Sequence, residues 1–326
     1  MLVLLFLALC TACDYQSFTA TELEEPKVAV SSFFSPDSVL RVKVTPVADA
    51  FTDSSKILDV KEVKVTNQKT GQVVYLEKED SSESVYTTAQ LIPALGDVFK
   101  LEVQTSASDE PIVAVDSICA TVVPFRLVST GVNVDDRSKG NTIAIGIDRT
   151  GIIRFLPVGD EDPQYYELNV YVENIAEDLP DSFWREHRVT LTSSTTIVTS
   201  EDYYPSKTAI ASYNPHALLF KCNSGNDSVS VDFVYGSIMI GSSAGWKSCA
   251  HNLRVELRQV SYAYYKFATA WAKQENAMIG DILYGGAPPV LIPSNVENGT
   301  GVFAGYNATE YKIFLDEYVY NPEYPN

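Results

Sequence analysis

From Lys27 onward, apolar residues recur at every second position in one run after another. Val42 and Val44 alternate with Arg41 and Lys43, and Val63 and Val65 with Glu62 and Lys64. Phe99, Leu101 and Val103 alternate with Lys100, Glu102 and Gln104. Successive side chains of a strand point to opposite faces, so a period of two marks a strand with one buried face. Turn-forming groups separate the runs: Ser35-Pro36-Asp37, Asn67 to Gly71, Gly96-Asp97 and Ser108 to Pro111. Short strands at this spacing over residues 27–123 predict an immunoglobulin-like β-sandwich. The Cys…Trp…Cys signature of antibody domains is absent from this stretch, so the architecture alone is inferred. Residues 112–123 read as the last strand of this unit, and Pro124 as its boundary.

The second stretch, 124–326, has the same grammar. Ile143, Ile145 and Ile147 alternate, and Arg149-Thr150-Gly151 reads as a turn after them. Tyr166, Leu168, Val170 and Val172 alternate with Glu167, Asn169, Tyr171 and Glu173. Val229 to Tyr235, Leu253 to Leu257 and Tyr311 to Leu315 continue the series. A mainly β protein is predicted: the sandwich, then a second antiparallel β domain, itself a sandwich or an open barrel. A length of 326 residues is also what two domains of ordinary size require. One segment departs from the pattern. Residues 261–278 lack Gly and Pro and place Tyr264, Phe267 or Ala268, and Trp271 at helical spacing. Ser261 is positioned to cap this amphipathic helix and Gly280 to end it. A weaker helical signal covers 181–186.

Charge narrows the function classes. Lys and Arg number 24 against 42 Asp and Glu, a net charge of −18 with no basic run. Nucleic-acid binding needs a basic footprint and is excluded, and attraction to anionic lipid headgroups is disfavoured. Attachment to a membrane has a different basis here. Residues 1–12 (MLVLLFLALCTA) are uncharged and too short to span a bilayer, which takes about 20 residues. They fit the apolar region of a secretory signal peptide. Thr11-Ala12-Cys13 resembles the cleavage and lipidation site of a bacterial lipoprotein, although Cys10 stands three residues before Cys13 where Leu is usual. Cys13 is therefore the expected acylated residue. Residues 13–26, acidic and aperiodic, read as a tether.

The candidates for chemistry are few. Gly299-Thr300-Gly301-Val302-Phe303-Ala304-Gly305 is not a phosphate loop, since no helix and no Lys follow it. Glycines that permit a turn, a bulge or a close backbone approach explain it better. Export makes a disulfide between Cys222 and Cys249 a candidate. The acidic pairs at 135–136 and 160–162 lack the spaced pattern of a calcium loop. Asp181, Glu186 and His187 with Arg185 and Arg188 could host acid–base chemistry, but no catalytic motif supports it. No catalytic residue, metal ligand or cofactor is assigned. The 19 tyrosines supply strand faces and, on loops and the helix, rigid binding surface with a polar tip.

The closing region carries a family resemblance. A strand LRVEL leads into SYAYYKFATAWAKQ, and after a loop come Pro293, Ser294 and Asn295, then Gly299, Gly301, Val302 and Phe303. At the front, the lipobox and acidic tether are followed by Glu25-Pro26-Lys27-Val28. Together these resemble an uncharacterised lipoprotein family of Bacteroidetes. The resemblance implies an outer-membrane lipoprotein at the cell surface whose gene neighbours encode TonB-dependent receptors, and hence such a receptor as partner. It transfers no catalytic or ligand-binding residue. The resulting expectation is a lipid-anchored accessory protein, not an enzyme, acting in cargo capture or uptake. A structural or adhesive lipoprotein is the alternative, and a hydrolase the less favoured one. Tyr262, Tyr265, Trp271, Asn295, Phe303 and Tyr306 are the candidate binding residues.

Overall fold

The computed structural model describes residues 28–47, 58–82, 84–106, 108–136, 145–159, 163–174, 186–189, 191–198, 217–223, 227–240, 251–284 and 290–315. The signal segment, Cys13, the tether, residues 181–185 and Cys249 lie outside them, so the lipidation site, the weaker helix and the 222–249 bridge do too. Among the described residues the first strands are β1 Val28–Phe34, β2 Leu40–Pro46, β3 Val60–Asn67, β4 Val73–Tyr75, β5 Glu77–Lys78, β6 Val85–Thr88, β7 Val98–Thr105 and β8 Ile112–Ser117. Then come β9 Phe125–Asp136, β10 Ile145–Phe155, β11 Gln164–Asn174, β12 His187–Arg188, β13 Leu191–Thr192, β14 Leu218–Cys222, β15 Val229–Ile240 and β16 His251–Val260. The helix α1 Tyr262–Tyr284 follows, then β17 Val296–Glu297 and β18 Thr300–Leu315.

The protein is mainly β and built as sandwiches on a shared base. Nine strands form one long sheet in the order β12-β11-β16-β18-β1-β2-β6-β5, with β14 also on β11. A five-stranded sheet, β17-β8-β7-β3-β4, covers one half of one face. Val30, Phe34 and Val42 meet Val65, Phe99 and Leu101 in the core between them. A four-stranded sheet, β13-β15-β10-β9, covers the other half of the same face. There Leu168, Val170, Val255 and Leu257 pack on Ile153, Phe155, Val231 and Phe233. The opposite face of the long sheet carries α1, seated through Tyr264 and Tyr265 on Val302, Ala304, Leu219 and Val260.

Strand parity sets which residue faces which layer. In β18, Phe303 lies in the first core while Val302 and Ala304 lie under the helix. Its later residues Ile313 and Leu315 pack against the second core. One 16-residue strand thus serves both sandwiches. The border at Pro124 is crossed by this strand, which lies parallel to β1 with Phe33 opposite Ala304. β17 pairs antiparallel with β8, completing the sheet of the first sandwich from the far end of the chain. Parallel neighbours need a long crossover, and here nearly the whole chain lies between them.

Gly301 and Gly305 lie inside this strand, whereas Gly299 sits in the bend just before it. Gly301 has φ +111°, and a Cβ there would stand 2.0 Å from the Val30 carbonyl oxygen. At Gly305 a Cβ would stand 2.3 Å from the Ser117 carbonyl oxygen. Only glycine lets backbone approach backbone this closely. Side chains then fasten the seam. The Asn295 amide donates to the Phe303 carbonyl at 2.7 Å and accepts from its N–H at 3.0 Å. Asn307 donates to the carbonyls of Cys119 and Thr121, and Thr309 to that of Val123.

Three expectations are corrected. Arg149-Thr150-Gly151 is not a turn: β10 runs through it, paired on both sides, with an irregularity between Ile147 and Arg149. Gly151 makes room for Phe233 on the neighbouring strand, whose ring would lie 2.3 Å from an added Cβ. The helix does not end at Gly280 but runs to Tyr284; an interior glycine costs roughly 1 kcal/mol against alanine, which the flanking turns absorb. Finally, β11 and β16 bury both faces, since Glu167, Asn169 and Glu256 are as buried as their apolar neighbours.

Candidate functional site

Below α1, a groove of about 730 Å³ opens on the outer face of the long sheet. Its floor is the outward side of β1 and β2 with Val302 of β18, and one wall is formed by Tyr264, Phe267, Ala268, Trp271 and Ala272 of the helix. Leu219 of β14 lies at one end. The residues that make the groove aromatic follow from local sequence. Phe33 and Phe34 are adjacent in a strand, so they must face opposite ways. Phe34 is in the core at 1% exposure and Phe33 faces out at 43%. The Phe33 ring meets Tyr264 at 5.0 Å and Phe267 at 5.8 Å. Phe267 and Trp271, one helical turn apart, stack at 6.0 Å with planes 12° apart. Trp271 remains 47% exposed.

Ser261 starts the helix and fixes its place. Its hydroxyl accepts from the Tyr264 N–H at 3.2 Å and donates to Asp116 of β8, which also accepts from the Gly305 N–H at 2.8 Å. The cap expected from sequence therefore also ties the helix to the seam.

Beside the groove, the polar positions of β11 and β16 form a closed ionic layer. The Arg258 guanidinium donates to both carboxylate oxygens of Glu256, at 2.9 and 3.1 Å, and to Glu167 at 3.2 Å. Asn169 donates to one Glu167 oxygen at 2.8 Å and the Tyr264 hydroxyl donates to the other at 3.0 Å, so both are engaged. Arg188 approaches the same carboxylate at 3.8 Å. Burial opposes the charge of Arg258, but Glu167, Tyr264 and Glu256 outweigh it and raise its pKa. Burial, then the adjacent Glu167 charge, pushes the Tyr264 phenol well above its ordinary value, so it stays a donor. Farther along, Arg254 grips Glu186 at 2.8 and 2.6 Å and Glu310 at 2.8 Å while lying 3.7 Å over the Tyr171 ring. Those hydrogen bonds hold Glu186 below the usual carboxylate range. A carboxylate fixed in its ionised form is a poor general acid.

The residues singled out from sequence separate into three places. Trp271 lines the groove. Tyr262 and Tyr265 flank Tyr165, at 5.2 and 4.7 Å, in a tyrosine cluster at the start of the helix; Tyr262 is exposed and Tyr265 buried. Asn295, Phe303 and Tyr306 belong to the framework. Asn295 pins the Phe303 backbone, and the Phe303 ring is fully buried against Phe34 at 4.6 Å. Tyr306 packs edge-on to Tyr264, with the Arg258 guanidinium 4.6 Å from its centre. The groove residues Phe33, Lys43, Glu167 and Leu219 were not singled out, and Arg188 was named only beside Glu186 and His187 as a possible acid–base group. The signal for Phe33 was present: an aromatic residue at a position that alternation assigns to solvent. No His, Cys, Asp and Glu cluster suited to a metal is found among the described residues.

Three stacked layers, with two short sheets on one face of a long sheet and a helix on the other, define a mainly β protein of sandwich type. The chain belongs to the family of the domain of unknown function DUF4249, which it matches over residues 15–312. Among solved structures it is similar to a biofilm-associated protein, BSP domain, at 8% identity and a TM-score of 0.15. That match covers 88% of this chain, and the chain spans 59% of the other. A search of curated proteins finds no match.

Proposed function

We propose that this protein is a lipid-anchored outer-membrane accessory protein that binds a ligand in the groove under α1 and works beside a TonB-dependent receptor. The observation that carries the binding part is the groove itself. It is concave, of the size and mainly apolar character of small-molecule sites, and walled by a helix that the Ser261–Asp116 contact holds in place. The anchor rests on Thr11-Ala12-Cys13 and on the polar tether after it. Several acyl chains on one cysteine would attach the protein stably where one chain gives only marginal binding. The receptor as partner rests on the family resemblance of the closing region.

The test is affinity capture of the protein from solubilised native outer membranes, with mass spectrometry of both the captured partners and the amino-terminal peptide. An outer-membrane receptor enriched over a mock capture, and an acylated Cys13, are the expected results. A bare Cys13 thiol overturns the anchor; capture without any receptor overturns the partnership.

A further inference from the structure

We infer that the groove under α1 takes an amphiphile with an anionic head group, its apolar body lying along Phe33, Phe267 and Trp271. This rests on the binding reading above and names its ligand class. The floor and helix wall supply apolar and aromatic surface, and Phe33 and Trp271 keep almost half of theirs exposed to solvent. Exposed aromatic area in a concave site is what an apolar body covers with gain, because apolar surface leaves water. Charge decides the head group. Among the described residues, three charged side chains line the groove: Lys43, Arg188 and Glu167. Glu167 already accepts from Asn169, Tyr264 and Arg258, so its charge is answered from within the protein and is poorly placed to attract a cationic head. Arg188 also stands 3.8 Å from Glu167, so the described lining is net cationic through Lys43, in a chain of net charge −18. Lys43 stands on the exposed side of β2 and Arg188 on β12. Four strand spacings separate β2 from β11, roughly 19 Å across the sheet, so the groove is long enough for an extended chain.

The test uses the full chain carrying Cys13→Ser, so that no acyl group of its own competes. Laurate, dodecanol and dodecyltrimethylammonium share one apolar chain and differ in head charge. The two ions are titrated below their micelle concentrations, and dodecanol below its solubility limit, by calorimetry. Saturable one-to-one binding of laurate is expected, about tenfold tighter than the ammonium compound, a preference of the size one favourable charge contact gives. Lys43→Glu should erase that preference, and Phe33→Asp should weaken laurate about tenfold or more. Circular dichroism verifies the fold, and Trp271→Ala replaces Phe33→Asp should the latter unfold. No saturable laurate binding, equal affinity for the three head groups, or binding indifferent to both aromatic substitutions each overturns the inference. A dimer that buries Phe33 and excludes laurate does so as well, by making a second copy the occupant. Failure here leaves the receptor partnership standing, and failure of the membrane capture leaves the groove result standing.

Discussion

The outward faces of β1 and β11 belong to one sheet yet differ in kind. β1 presents Ala29, Ser31 and Phe33 to the groove. β11 presents Glu167, Asn169 and Tyr171, each bound by a neighbour in the ionic layer. The first face is unfinished and offers surface. The second is largely closed, its carboxylates answered by Arg254, Arg258 and Tyr264. Replacing a buried ion pair by apolar packing is often neutral or stabilising, whereas removing one partner is costly. The ionic layer accordingly contributes orientation more than net stability: it fixes where Tyr264, and so the helix wall, stands over Phe33. The comparison teaches that the groove is a margin where a sheet stops being sealed by its own residues.

Predictions that break this arrangement run from the seam outward. Gly305→Val drives a side chain into the Ser117 carbonyl and should cost about 4 kcal/mol or more, unfolding both regions together in urea. Arg258→Met leaves Glu167 and Glu256 buried without their nearest cation, with only Arg188 and Arg254 at 3.8 and 4.0 Å, and should cost about 3 kcal/mol, with part regained on adding Glu167→Gln. Asn295→Ala removes two hydrogen bonds to the Phe303 backbone and should cost about 2 kcal/mol by the same assay.

A smaller effect sharpens the comparison from the second sandwich. Burial opposes the Asp232 charge, but hydrogen bonds from Thr195, Ser194 and Ser193 prevail and hold its carboxyl below the ordinary value. A lowered folded pKa contributes stability that is fully present above the unfolded value of about 3.9 and is lost as pH falls through the folded one. Asp232→Asn should therefore cost about 1 kcal/mol at neutral pH, a figure reduced for its partial exposure to solvent. The difference from the unsubstituted chain should shrink on acidification below that unfolded value. Smallest in stability is Trp271→Ala, within about 0.5 kcal/mol, because the ring is half exposed.

Much of the first sandwich was legible because its turns follow local rules. Asn67 accepts from the N–H groups of Lys69 and Thr70, and Gly71 and Gly96 adopt φ of 75° and 73°. The strands around Val42, Val63 and Leu101 stand where alternation puts them. The shared sheet was not legible, because pairing of β1 with β18 is a contact between chain ends that no local pattern encodes. Alternation in β11 announced a strand but not that its polar side is interior, since Glu167 looks the same in sequence whether water or Arg258 answers it. Gly151 misled for a related reason: glycine marks both turns and positions where a neighbouring ring needs space. The Gly299 to Gly305 stretch and Asn295 were noticed, yet their work is to close the seam rather than to line the groove. Trp271 was found as a binding candidate because it is an aromatic residue on the helix, whereas Phe33 was passed over although alternation with Val30 and Phe34 assigns it to solvent.

The central claim is that β18 makes both sandwiches and the groove floor one cooperative unit. Hydrogen exchange through a mild urea series, followed peptide by peptide, tests it most directly. The account predicts that amides of β7 in the first sandwich and of β11 in the second open with the same free energy and the same urea dependence. Two separate openings, with β7 exchanging while β11 and β18 stay protected, would contradict it.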